Sequence, residues 1–212
     1  IVEKICRERM NIPVFHDDQH GTAIVVGAAA TNALRVTEKS FEDIKVVSTG
    51  GGAAGIACLN MLLKLGVKRE NVWLVDLHGL VYEGREIDMT PQKAEFAQAT
   101  DARTLDDVIS DADLFLGLSG PGVLTPEMVK KMADPPIIFA LANPDPEINP
   151  DDARAVGAAG RQHVTTVSAR RPATHRACRR VWCPGCRWRP GAQPRRRCRA
   201  RRPGRVSGRP SR

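Results

Sequence analysis

Residues 157–212 contain no lysine, aspartate, glutamate, isoleucine, leucine, methionine, phenylalanine, tyrosine or asparagine. A segment so poor in apolar side chains cannot bury enough surface to offset the entropy of ordering, so a packed core is excluded there and disorder is expected. Its 56 residues hold 17 arginines, 7 alanines, 6 glycines and 6 prolines. GC-rich codons encode that alphabet, and GC-rich DNA translated out of frame yields it readily. The reading is that the native frame is lost between residues 156 and 162. Basic charge is scarce in the other part: residues 1–150 carry 14 Lys+Arg against 22 Asp+Glu, net −8, while residues 151–212 carry 18 Arg against 2 Asp, net +16. The overall pI of 9.5 describes neither part.

No run approaches 18 apolar residues. The longest candidate, 23–34, is interrupted by Gly27, Thr31 and Asn32, which excludes a membrane-spanning helix. The chain opens at Ile1, not Met, and shows no charged segment leading into an apolar signal core. The expectation is an internal piece of a longer cytoplasmic protein with no membrane partner. Residues 1–156 hold two cysteines, Cys6 and Cys58, which read as free thiols in a reducing compartment.

What is present is concentrated near the start. His16-Asp17-Asp18-Gln19-His20-Gly21 sets two carboxylates and two imidazoles ahead of a small, apolar stretch (21–36) with helical spacing. Residues 44–48 are β-branched and read as a strand, followed by Gly50-Gly51-Gly52-Ala53-Ala54-Gly55 and a helix over 56–65 closed by Gly66. A second strand, 71–75, ends at Asp76. A looser stretch covers 78–95, and a third strand over 112–118 stops at Ser119-Gly120-Pro121-Gly122. Thr125 and Pro126 cap and begin a helix to Met132. A last strand, 136–142, runs into Asn143-Pro144-Asp145-Pro146. Alternating strands and helices, with continuously apolar strands, predict an α/β fold whose parallel sheet is covered on both faces.

Gly50-x-Gly52-x-x-Gly55 has the spacing of a dinucleotide loop: one glycine for the tight turn, one for backbone approach to a pyrophosphate, one for close helix packing. Gly51, Ala53 and Ala54 complete the candidate cofactor loop. Asp76, 21 residues past Gly55, stands where an acid accepts from the adenosine ribose, or else is a solvated strand-end carboxylate. The choice between NAD and NADP stays open. Asp17 and Asp18, read as extended backbone, would point to opposite sides, one toward a divalent cation and one toward substrate; the alternative is an acidic helix start. A hard cation such as Mg²⁺ or Mn²⁺ prefers oxygen, so His16 and His20 read as supporting or structural. Ser119 and Asn143 lie past strand ends, where ligands of such sheets gather. In the basic segment, Cys183-Pro184-Gly185-Cys186 has thioredoxin-type spacing, and His175, Cys178 and Cys198 add candidate zinc ligands, but no βαβ unit or core surrounds them.

The ordered segments VFHDDQHGTAIV, VVSTGGGAAGIA, WLVD, GLSGPGVLT and IFALANPDPEI closely resemble malic enzymes, over residues 1 to 155. The resemblance implies a Rossmann-like doubly wound parallel sheet over 21–156. Residues 1–20 would end a preceding catalytic domain, and 157–212 would form a disordered basic tail. It also implies oxidative decarboxylation of L-malate to pyruvate and CO₂ with NAD or NADP and Mg²⁺ or Mn²⁺, in a parent that is a homo-oligomer. By matching position, Asp18 resembles the metal ligand and Asp17 a member of the catalytic hydrogen-bond network. Gly50–Gly55 resemble the cofactor loop and Asn143 the asparagine facing substrate and nicotinamide. The family's proton-transfer tyrosine and lysine, and its Glu-Asp pair, precede the matched region. Its downstream asparagine segment is replaced by Arg161-Gln162-His163-Val164-Thr165. Malate turnover by this chain alone is therefore not expected. Two other readings remain: a different NAD(P)-dependent dehydrogenase, or a nucleic-acid-binding protein using its arginines, whose binding would be non-specific.

Overall fold

The computed structural model describes residues 2–158 and 165–168. Helix α1 (Val2–Arg9), which the sequence reading did not anticipate, carries a Glu3–Arg7 pair one turn apart. Asp17–Gly21 form a wide π-helical turn that continues into α2 (Thr22–Thr37). α2 buries Ala23, Val26, Gly27, Ala30, Ala33 and Leu34, a single stripe at helical spacing. It ends where Glu38 turns left-handed (φ 55°) and the Lys39 N–H donates to the Leu34 carbonyl.

Strand β1 (Val46–Thr49) is buried along its length and turns through the glycine loop into α3 (Ala53–Lys64). Gly66 (φ 116°) stops that helix, with the Val67 N–H donating back to Leu62. β2 (Val72–Asp76) and the short β3 (Gly79–Leu80) follow, then α4 (Pro91–Ala94), α5 (Leu105–Val108) and β4 (Leu114–Gly117). The expected capped helix is α6 (Pro126–Lys131), with Thr125 accepting from the Met128 N–H. β5 (Ile137–Ala140), α7 (Pro150–Ala158) and β6 (Thr165–Ser168) complete the described chain.

The sheet order is β3-β2-β1-β4-β5-β6. All neighbours are parallel except β2 and β3, which are antiparallel. The expected parallel, doubly wound sheet is thus present, with one short antiparallel edge strand added: Leu77 and His78 alone separate β2 from β3, too few residues for a crossover. Side chains alternate across the strands. Val46, Leu74, Leu116 and Phe139 face α2 and α3, while Val47, Val75, Phe115 and Ile138 face α5, α6 and α7. Two cores on one sheet make it doubly wound, and the chain reverses direction across the sheet between β1 and β4.

The stretch 78–95 is more ordered than expected. Thr90 caps α4 there, and beyond it Thr104 with Asp107 forms a capping box on α5. Helices of four residues are too short to leave a readable period. α7 runs through residue 157, and β6 pairs Thr165–Ser168 with β5. The β-branched run Val164-Thr165-Thr166-Val167 has strand propensity that a composition average conceals. The tail cysteines, His175, and the rest of the segment expected to be disordered or out of frame lie outside the described residues. Among the described residues no helix is long and apolar enough to cross a membrane.

Cys6 and Cys58 are both free, as expected. Burial among the α3 core residues pushes the Cys58 thiol up to about 12. Alkylation followed by peptide mass mapping should therefore label Cys6 in the native chain and Cys58 only after denaturant is added. Native labelling of Cys58 would contradict the packing of α3.

Candidate functional site

The β1–α3 turn is built from glycines with three distinct tasks. Gly50 adopts φ 105°, and a Cβ on it would collide with the Leu118 carbonyl. Gly55 packs so closely that a Cβ would strike the Gly50 carbonyl. Gly52, by contrast, has nothing within 4 Å of where a Cβ would sit. The N-terminus of α3, whose Gly52 N-cap has no side-chain hydrogen bond, therefore opens to an approaching ligand. Backbone N–H groups there suit an anion.

This turn forms one wall of a cavity of about 660 Å³ lined by Gly50, Gly51, Gly52, Asp76, Lys93 and Ser119, among others. Exposed Leu77 and the Asp88 carboxylate lie on its border. Lys93, which the sequence reading missed, is 6% exposed and passes over Gly51, where a Cβ would come within 2.7 Å of its Cε.

Asp76 is not a solvated strand-end carboxylate. Its side chain is 5% exposed. One oxygen accepts from the His78 N–H (2.9 Å) and Arg85 Nη1 (3.0 Å), the other from Arg85 Nη2 and Lys93 Nζ (2.8 Å). Four donors fill the roughly four acceptor directions of a carboxylate. Burial alone would raise the Asp76 pKa. Hydrogen bonds from Arg85, then Lys93 and the His78 N–H, with the Arg85 charge, outweigh it and hold the group at about 2. Lys93 also donates to the Asp88 carboxylate and carbonyl, and Arg85 to the Gly79 and Leu80 carbonyls. No period or motif in 78–95 marks Arg85 or Lys93 as partners of Asp76.

A second cavity, of about 570 Å³, brings Asp17, Asp18 and Asn143 together with Ala54, Leu118 and Leu141. The expectation that Asp17 and Asp18 point to opposite sides of an extended segment is corrected. They occupy successive positions of the π-helical turn and line one cavity. A Cβ on Gly21 would meet the Asp17 carboxylate, an exposed side chain that would have to turn aside. His20 Nδ1 accepts from the His16 N–H (3.2 Å), its Nε2 lies 3.8 Å from the Glu3 carboxylate, and its ring lies 5.5 Å from that of Phe15. Ala53 and Gly55 line neither cavity and shape the turn instead. Among the described residues no group of three or more His, Cys, Asp or Glu could hold a metal ion. The described residues thus form a cradle that fits a dinucleotide but do not complete a metal site.

A doubly wound sheet with a glycine turn opening its first crossover helix onto a cavity at the switch point defines a dinucleotide-binding domain of the Rossmann type. Residues 19–175 match the family model for the malic enzyme NAD-binding domain, and the chain belongs to that family. It is 56% identical over 154 residues to the NAD-dependent malic enzyme of Rhizobium meliloti and 58% identical over 156 residues to the NADP-dependent malic enzyme of Escherichia coli. Each match covers 73% of this chain, which spans about a fifth of those relatives' length (20% and 21%). The crystal structure of the NAD-dependent malic enzyme of Thermotoga maritima superposes with a TM-score of 0.72 at 42% identity, over 80% of this chain and 44% of that one. The family match extends past the compositional boundary at residue 157.

The depressed Asp76 carboxylate makes folding acid-sensitive. Its ordinary value is 3.8, so its stabilisation is complete above that pH and is lost as pH falls toward 2. The shift corresponds to about 2 kcal/mol. Denaturant titrations at pH ~6 and pH ~2 should show Asp76→Asn losing less stability on acidification than the wild type by about that amount. Equal losses would place the acid sensitivity elsewhere.

Proposed function

We propose that this chain is the cofactor-binding part of a malic enzyme, an oxidoreductase that converts L-malate to pyruvate and CO₂ with reduction of NAD or NADP. The observation that carries this reading is Gly52, open at the mouth of the 660 Å³ cavity, between a Gly50 in a left-handed turn and a Gly55 packed against it. In this reading the pyrophosphate lies on the Gly50–Gly55 loop, with Gly51, Ala53 and Ala54 shaping it, and Ser119 borders the nicotinamide side. Asp76 contributes by holding Lys93 at the cavity wall rather than through a spare acceptor, since its oxygens are already engaged. The cofactor supplies a hydride acceptor when bound.

Asp17, Asp18 and Asn143 form the substrate-facing side, because they share the cavity adjoining the cofactor loop. Asn143 orients malate against the nicotinamide, and Asp17 orients polar groups around it. Asp18 contributes one hard oxygen to a divalent cation, Mg²⁺ or Mn²⁺, whose remaining ligands come from outside the described residues. In the full-length parent, as a homo-oligomer in the cytoplasm, those ligands and the proton-transfer groups complete the site. A partner reading based on specific nucleic-acid recognition gains nothing from the described residues.

Titration of the purified 212-residue chain with NADH and NADPH, followed by nucleotide fluorescence, tests the reading. The wild type should bind at least one of them without oxidising malate. Gly52→Val should fold normally, since nothing crowds that position, and weaken binding at least ~10-fold by blocking backbone approach. Gly55→Ala should instead lose cooperative unfolding or melt markedly lower. Malate turnover by the isolated chain, or undiminished binding by Gly52→Val, would contradict the assignment.

A further inference from the structure

Glu147 is the most deeply buried carboxylate among the described residues, 0% exposed, and no salt bridge reaches it there. Gly117 makes room for it, because a Cβ at that glycine would collide with the Glu147 carboxyl group. Oε1 accepts from the Ser119 N–H (2.8 Å) and lies 3.4 Å from the Ser119 hydroxyl. Oε2 accepts from the Ala142 N–H (3.1 Å). The Ser119 hydroxyl in turn bonds Thr49 Oγ1 (2.9 Å). The Glu147 carbonyl accepts from the Leu124 N–H (3.1 Å), which fixes its own segment against the loop after β4.

The Glu147 side chain therefore ties together the carboxyl ends of β4 and β5 and, through the Ser119 hydroxyl, that of β1. Ser119 and Thr49 line the 660 Å³ cavity, whereas Asn143, next to Ala142, lines the 570 Å³ cavity. Both oxygens face donors, so the position demands two acceptors. Aspartate is too short to span both N–H groups, and glutamine would turn an NH₂ against one of them. A burial this deep without a cation is costly unless the hydrogen bonds are complete.

We propose that Glu147 is a positioning residue that couples the cofactor cavity to the substrate-facing cavity: it holds Ser119 and the Ala142–Asn143 backbone in one register, so that filling the first stiffens the second. The inference rests on the dinucleotide-binding reading above. Ala142 lines neither cavity, and its N–H donates to Glu147, so a change at that amide on cofactor binding reports on the carboxylate and its surroundings rather than on direct ligand contact.

The test uses the whole chain with NADH or NADPH. Hydrogen exchange at the Ala142 amide should slow at least ~10-fold when cofactor saturates the wild type. Glu147→Gln should unfold cooperatively yet bind cofactor about tenfold more weakly, without slowing exchange at Ala142. Unchanged Ala142 exchange in a wild type that binds cofactor overturns the coupling alone. So does a folded Glu147→Gln that binds within twofold of wild type. If Glu147→Gln fails to fold, the wild-type exchange result decides by itself. A wild type that binds neither nucleotide overturns the cofactor reading and this inference with it.

Discussion

The Gly50 carbonyl occupies the space in which a Gly55 side chain would begin, and Gly50 itself sits against the Leu118 carbonyl. Backbone thus meets backbone on both sides of the turn, and only glycine tolerates either contact at that range. That approach sets where α3 starts relative to β1, which places the open Gly52 over the crevice between β1 and β4. The cavity, the exposed N-terminus of α3 and the position of Ser119 all follow from this one close approach. A bulkier residue at Gly55 would push the helix away and erase the crevice, not merely narrow it.

A second constraint is electrostatic. Asp76, Arg85, Lys93 and Asp88 form a chain of charges, three of which (Asp76, Lys93 and Asp88) line the cavity, with the members closest to β2 nearly excluded from water. A buried ion pair is rarely a source of net stability, but breaking one is expensive because a bare charge remains. The arrangement consequently fixes geometry: it folds the β2–β3 turn back onto the sheet and lays the Lys93 stem over Gly51. Asp88 holds its end of the chain from an exposed, left-handed position (φ 52°) against a lysine that is itself nearly buried.

Much of this architecture was legible from residue order. Strand, glycine turn and helix over 44–65, the Asp76 terminus, the capped helix at Thr125–Pro126 and the strand before Asn143 all fall within two or three residues of their expected places. Those features depend on local chemistry: β-branched runs, a glycine with positive φ, a threonine cap. What was not legible depends on contacts distant in sequence. Asp76 meets Arg85 and Lys93 only because a two-residue turn reverses β2, and Glu147 within Asn-Pro-Asp-Pro-Glu reads as an ordinary turn until the fold sets it beneath Gly117. Asp17 and Asp18 share a cavity because their turn is helical, the acidic helix start that the sequence offered as the alternative to extended backbone. The strand at Thr165–Ser168 escaped because an average over an arginine-rich segment hides four residues.

The central claim is that the glycine turn is where this chain takes up a dinucleotide. Titrating NAD⁺ and NADP⁺ into the isotopically labelled chain, and following backbone amide chemical shifts, addresses it most directly. Saturable shifts at Gly50, Gly51, Gly52 and Ser119, with smaller ones at the opposite ends of the strands, are the predicted result. A nucleotide that binds while leaving the Gly50–Gly55 amides unmoved would contradict the account.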